Sequence, residues 1–259
     1  MPKRSMYIWK FLPIINAEGS VAKVVEKARR AKLDALWVKI ADGRSAYRNV
    51  TGDMAARFSD LVERCHNSDI QVWGWHVPVC ETIEDAKDEA RKVKDIAAHF
   101  RIDGLIMDAE HGPGFFQGGK DEAEAYGQAM KAAASELDKP LAISSHDIPN
   151  NQAGWLPKFN KIAFGADLNY PQVYYGGSPS VEHRLTRAED ANAHVTALFC
   201  PVGAGWVGDN GGCSSASACA ERAREFIRLV KDRGYDEYSF WHWGGAPTAL
   251  WEVLNTVPA

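Results

Sequence analysis

The chain of 259 residues carries 30 Lys and Arg against 34 Asp and Glu, a formal charge of −4, with 46% hydrophobic and 25% charged residues. Those proportions exclude disordered, collagen-like and coiled-coil chains. The mild acidity argues against a nucleic-acid partner, which needs a concentrated basic surface, and no apolar run approaches the ~20 residues that cross a bilayer. The stretch Met1–Lys10 opens basic but has neither an apolar h-region nor a small-residue cleavage site, so cytoplasmic synthesis is expected, with any export by another route. Cys65, Cys80, Cys200, Cys213 and Cys219 form no paired framework and no CxxC. Reduced thiols are the default expectation, with Cys213 and Cys219 able to pair across the Gly-Ser-rich stretch near them.

In chain order, short apolar, β-branched or aromatic runs bounded by turn residues predict strands at Met6–Phe11, Ala35–Ile40, Ile70–His76, Gly104–Asp108, Leu141–Ser145, Ala166–Val173, Val195–Cys200 and Glu237–Trp241. Helical periodicity lies between them. Ser20 is placed to cap Val21–Lys32, with Val21, Val24, Val25 and Ala28 on one face. Thr82-Ile83-Glu84-Asp85 starts a charged amphipathic run to Phe100 in the manner of a capping box. Asp121–Leu137 is Ala-rich, and Ser217–Arg233 stops at Gly234. Between the fifth and sixth strands Pro149, Gly154 and Pro157 break any long period. Strand and helix thus recur about every 32 residues over the 259, which predicts one domain spanning 1–259, an α/β fold built as a single (β/α)8 TIM barrel. The competing open doubly wound sheet wants a glycine-rich phosphate loop after its first strand, and Leu12-Pro13-Ile14-Ile15 is not one.

In such a barrel the chemistry gathers at the C-terminal strand ends. Those ends read Lys39-Ile40-Ala41-Asp42, Trp73-Gly74-Trp75-His76, Asp108-Ala109-Glu110-His111, Ser144-Ser145-His146-Asp147, Tyr170-Pro171-Gln172-Val173-Tyr174 and Trp241-His242-Trp243, with a Gly-rich Gly203–Gly212 loop carrying Trp206. Flat aromatic faces among hydrogen-bonding groups suit a sugar ring. Side chains two apart on a strand point the same way, so Asp108 and Glu110 both face the mouth while Ala109 packs outward. Like charges that close raise a carboxyl pKa, leaving one protonated group beside one ionised group, as glycoside hydrolysis requires. Tyr170, Gln172 and Tyr174 recur at period two and line one face. Together with Asp147 and His76 they are the expected sugar contacts, with Trp241, sharing a face with Trp243, as a wall. Asp42 is a candidate rim contact, although its position beside Lys39 favours a rim ion pair.

Val38-Lys39-Ile40-Ala41-Asp42-Gly43, Val72-Trp73-Gly74-Trp75-His76 and Ile106-Met107-Asp108-Ala109-Glu110, in that order, resemble glycoside hydrolase family 25, the lysozymes (N-acetylmuramidases) of bacteria and phages. The resemblance implies Glu110 as general acid, Asp108 as the group that stabilises the oxocarbenium ion or orients the 2-acetamido group, peptidoglycan as substrate, and a phage-associated setting as one route to the cell wall. The first strand lacks that family's aspartate, and the eighth ends Trp241-His242-Trp243. The D-x-E is shared with family 18 barrels, whose longer D-x-x-D-x-D-x-E run reads as absent, with Gly104 and Ile106 at its inner aspartates.

The expectation is therefore a lysozyme-like glycosidase cleaving a β-linked glycan with N-acetylated sugars, needing no cofactor and no metal. Two rivals are a catalytically weak or inactive glycan-binding barrel and, less favoured, a metal-dependent hydrolase using His76, Asp108, Glu110 and His146.

Overall fold

A computed structural model describes residues Met1–Pro258. Eight parallel strands close into a barrel: β1 Lys3–Ile8, β2 Ala35–Asp42, β3 Gln71–Val77, β4 Gly104–Asp108, β5 Leu141–His146, β6 Leu168–Val173, β7 Val202–Ala204 and β8 Glu237–Trp241. Each pairs with its sequence neighbour, and β1 pairs with both β2 and β8, which closes the ring. This is the (β/α)8 barrel that the strand spacing predicts.

Two strands depart from their predicted bounds by more than two residues, for local reasons. β1 ends at Ile8 because Phe11 opens helix α1, Phe11–Glu18, whose Pro13 lies in the first turn, where a missing N–H costs nothing. Asn49 fixes that turn: its Oδ1 accepts from Phe11 N (2.9 Å), and its Nδ2 donates to Trp9 O (2.9 Å) and Lys39 O (3.0 Å). The seventh strand is split. Leu198–Phe199 pairs with the lower part of β6, and the ladder resumes at Val202 after Pro201, which has no N–H to donate.

The remaining helices are α2 Val21–Arg30, α3 Asp53–His66, α4 Ile83–Phe100, α5 Lys120–Leu137, α6 Leu156–Ala163, α7 Val181–Asn192, α8 Ala216–Asp232 and α9 Thr248–Thr256. The predicted caps are present: Ser20 Oγ accepts from Lys23 N, and Thr82 and Asp85 form a reciprocal capping box. Ser215, rather than a residue inside the run, caps α8. A disulfide joins Cys213, in the segment before α8, to Cys219 in its first turns, and Cys65, Cys80 and Cys200 are free and buried.

Outward-facing strand residues and apolar helix stripes form one core layer, and the barrel interior forms a second cluster of Tyr7, Trp37, Trp73, Trp75, Ile106 and Tyr170 with smaller neighbours. Trp37 stacks on Tyr170 across the interior at 4.3 Å and 20°, and Tyr7 meets Trp37 edge-on at 4.8 Å. Gly104 makes room for this. A Cβ there would lie 2.3 Å from the Trp73 ring, its register partner's side chain. Trp37, Trp73 and Trp75 thus plug the barrel, and everything above the plug is mouth.

That alternation corrects one expected site residue. Trp73, Trp75 and Val77 point inward, so His76 between them points out. It is wholly buried against the helices, with Nδ1 2.8 Å from Tyr126 Oη and Nε2 3.0 Å from Gly43 O. Burial lowers its pKa to about 4, and it cannot touch a sugar in the mouth.

Candidate active site

β4 carries Asp108 at its last position, and the chain stays extended to Glu110 because Ala109 N donates to Ser144 O (2.9 Å), prolonging the pairing with β5. Ala109 is fully buried on the outer side. Asp108 and Glu110 therefore share the inner face. Gln172, from β6, joins them: its Nε2 donates to Glu110 Oε1 (2.9 Å) and Asp108 Oδ1 (3.2 Å) and lies 3.4 Å from Ser144 Oγ. Asp108 is only 4% exposed, whereas Glu110 retains contact with solvent.

Burial dominates the electrostatics of the pair. Desolvation raises the pKa of both carboxyls, and the charge of Glu110 raises Asp108 further. Asp108 also has three groups that favour its charged form, namely the Ser144 hydroxyl, the Lys39 ammonium and the Gln172 amide, whereas Glu110 has only Gln172. Tyr7 lies beneath the pair. Burial first, and then the Asp108 charge, push its phenol far up, so it remains a neutral hydroxyl beside Ser144.

The walls are aromatic. Trp241 sits 5.4 Å from the Tyr7 ring and 5.6 Å from Trp75. Across the mouth Tyr174 meets Trp206 edge-on at 4.9 Å. The Gly-rich loop is thus held over the site, with Cys213 N donating to Trp206 O (2.8 Å) beside the disulfide. A cleft of about 400 Å³ opens from Gln172 and Tyr174 toward His146, Asp147 and Arg184.

Other expected contacts are displaced or occupied. Tyr170 shares its face with Gln172 but sits two residues lower, about 7 Å at ~3.3 Å per residue. That places it in the sealed plug, where its Oη donates to Glu237 Oε2 (3.1 Å) near the barrel floor. Asp147 is at the rim but buried in an ion pair with Arg184, whose Nη2 is 2.7 Å from Oδ1. Asp42 pairs with Lys39 Nζ at 2.6 Å. Trp243 does not share the face of Trp241, because β8 ends there and a 3-10 turn, Trp243–Gly245, carries its indole outside the barrel. The metal-ligand set of the third expectation is not assembled, since His76 lies on the opposite side of β3 from the mouth.

Tyr7, which the sequence offers with Trp9 and Trp241 as an apolar flank of the groove, lies under the carboxyls, whereas Lys39 and Ser144 carry no site signal of their own. Lys39 has the inward parity of Trp37, and Ser144 is the register partner of Asp108. The first signal is local parity, and the second exists only once the strand register is known.

No protein-family model and no curated protein sequence matches this chain. Its fold is shared with solved structures of low identity. A glycoside hydrolase family 18 N-acetylglucosaminidase from Paenibacillus barengoltzii has a TM-score of 0.67 at 10% identity, over 98% of this chain and 99% of that one. The Bacillus megaterium spore cortex-lytic enzyme SleL gives 0.63 at 10% identity over 98% and 73%. The endo-beta-N-acetylglucosaminidase of Cordyceps militaris gives 0.66 at 13% identity over 99% and 91%. These likenesses show the barrel and do not single out family 25. Counted back from Glu110, the fourth strand reads Asp103-Gly104-Leu105-Ile106-Met107-Asp108-Ala109-Glu110. Three of the four acidic positions of D-x-x-D-x-D-x-E are kept, and only Ile106 departs, which corrects the reading of that run as absent. Asp103 is at the base of the strand, accepting from Val72 N (2.7 Å). The chain's fold is the (β/α)8 barrel that these glycoside hydrolases share.

Proposed function

We propose that this protein is a glycoside hydrolase acting on a β-linked glycan that contains N-acetylated sugars, with peptidoglycan the first substrate to test. The observation that carries the reading is the Asp108–Glu110 pair, bridged by one amide at the C-terminal mouth of the barrel and walled by Trp241 and Tyr174. An acetamido N–H reaching Asp108 draws the negative charge there, so that Glu110, still open to solvent, holds the proton that passes to the glycosidic oxygen as the bond to the anomeric carbon breaks. Water then adds to that carbon and returns a proton to Glu110. Asp108, with Lys39, Ser144 and Gln172 supporting its charge, accepts the acetamido N–H or steadies the positive charge that develops on the sugar. The same carboxylate pattern in a barrel that resembles N-acetylglucosaminidases and a spore cortex-lytic enzyme supports both the N-acetyl requirement and the cell-wall substrate.

Glu110 is bonded to a neutral amide and not locked in an ion pair, which favours catalysis over an inert binding barrel. The test is Glu110→Gln assayed on N-acetylglucosamine oligomers and on purified sacculi. Loss of the acid should cut turnover by about 10²–10⁴-fold with the fold intact. A variant within a few-fold of the parent would remove Glu110 from the mechanism. A parent that binds oligomers and never cleaves them would favour the inert barrel.

A further inference from the structure

Outside the mouth, between α1 and the turn that follows β8, lies a second cleft of about 500 Å³ lined by Trp9, Trp243, Trp251, His242, Glu18 and Lys27. That volume is within the range of small-molecule sites. Its floor is aromatic: Trp243 and Trp251 pack at 4.6 Å, and Lys27 Nζ lies 4.3 Å from the Trp251 ring centre. Its polar groups are held in place, since Glu18 Oε1 accepts from Lys27 Nζ (2.5 Å) and from Trp243 Nε1 (3.1 Å). Among the described residues nothing donates to the other Glu18 oxygen. His242 is neutral, its pKa lowered to about 4 by burial and then by Lys10, and so offers both a donor and an acceptor.

The cleft is joined to the mouth. Trp9 is 38% exposed and lies 6.4 Å from the Trp241 ring, with the two planes only 31° apart. The tilted Trp9–Trp241 contact links the wall of the mouth to the rim of the cleft, and the Asn49 hydrogen bonds to Trp9 O and Phe11 N fix the backbone that carries Trp9. Trp243 and Trp251 are buried, with Lys27 over Trp251, so Trp9 is the exposed ring that a pyranose can cover. The fixed Glu18 carboxylate and neutral His242 imidazole serve hydroxyls, a set that matches an uncharged sugar. We propose that this cleft is a distal glycan site, seating one N-acetylhexosamine unit of the same chain that is cleaved at the mouth, an inference that rests on the function proposed above.

The experiment is calorimetric titration of the N-acetylglucosamine dimer and hexamer into Glu110→Gln protein, with and without Ala17→Trp or Trp9→Ala. Ala17 is exposed on α1 and lines the cleft, so an indole there obstructs it without reaching the mouth, and circular dichroism checks both folds. The hexamer should bind about fivefold or more tightly than the dimer, the increment of one stacked ring. Either substitution should abolish that difference and leave the dimer unchanged. If both substitutions leave hexamer affinity as it was, or no oligomer binds at millimolar concentration, the distal site is overturned. Parallel hydrolysis assays of the Glu110 enzyme separate the two claims. Cleavage with unaffected variants overturns the cleft alone, and hexamer binding lost on cleft substitution without any cleavage supports the cleft and overturns only the catalytic reading.

Discussion

Replacing Gln172 by Leu removes the one donor that both carboxyls share while keeping side-chain volume. The lost contacts are the 2.9 Å bond to Glu110 and the 3.2 Å bond to Asp108. A hydrogen bond to a charged group contributes about 1.5–3 kcal/mol. Gln172 is partly exposed, so water replaces some of this in the free enzyme but not once a glycan fills the mouth. The loss then falls on the transition state, and kcat/KM should drop about 10–150-fold. The pH profile provides a second readout. The amide favours the ionised form of both groups, so its removal raises both pKa values. The two limbs report the Asp108–Glu110 pair losing its first and second protons, and the whole bell should move to higher pH. Initial rates on an N-acetylglucosamine oligomer between pH 4 and 9, with melting temperature as the fold control, measure both effects. A variant within threefold of the parent, or a bell displaced toward acid, would refute the bridging role.

Three further outcomes follow from the same geometry. Asp108 is held above its unfolded pKa by burial, so the stability it contributes is full below about pH 3.8 and is lost as pH rises through the folded value. Asp108→Asn should therefore raise Tm at pH 7 by about 2–6 °C and flatten its pH dependence while abolishing turnover, and a lower Tm with the parent's pH dependence would contradict this account. Trp241→Ala should weaken oligosaccharide binding by about 1–2 kcal/mol through loss of a ring that packs on Tyr7 and Trp75, with titration calorimetry as the check and unchanged affinity the adverse result. His76→Phe should cost about 2–4 kcal/mol of stability by stripping partners from Tyr126 Oη and Gly43 O. Its KM should hold, and a tenfold rise in KM with an unchanged melting curve would place the imidazole back in the mouth.

Much of this molecule was legible before any fold was seen. The alternation of strand and helix predicts the barrel, and the parity of Asp108, Ala109 and Glu110 predicts two carboxyls on one face. The same parity argument, applied to Trp73, Trp75 and Val77, turns His76 outward, because adjacent residues of a strand cannot share a face. Depth was not legible. Tyr170, Gln172 and Tyr174 are equivalent by periodicity, yet one is sealed in the plug, one bridges the carboxyls and one walls the mouth. Their level depends on how strands stagger around a closed ring, which no single strand encodes. The same stagger sets Ser144 beside Asp108 and brings Lys39 close enough to support its charge. Residue types and their faces are thus properties of the sequence, because side chains alternate locally. Their height above the plug, and so the environment that sets each pKa, comes from the register between distant strands and is decided only by the tertiary structure.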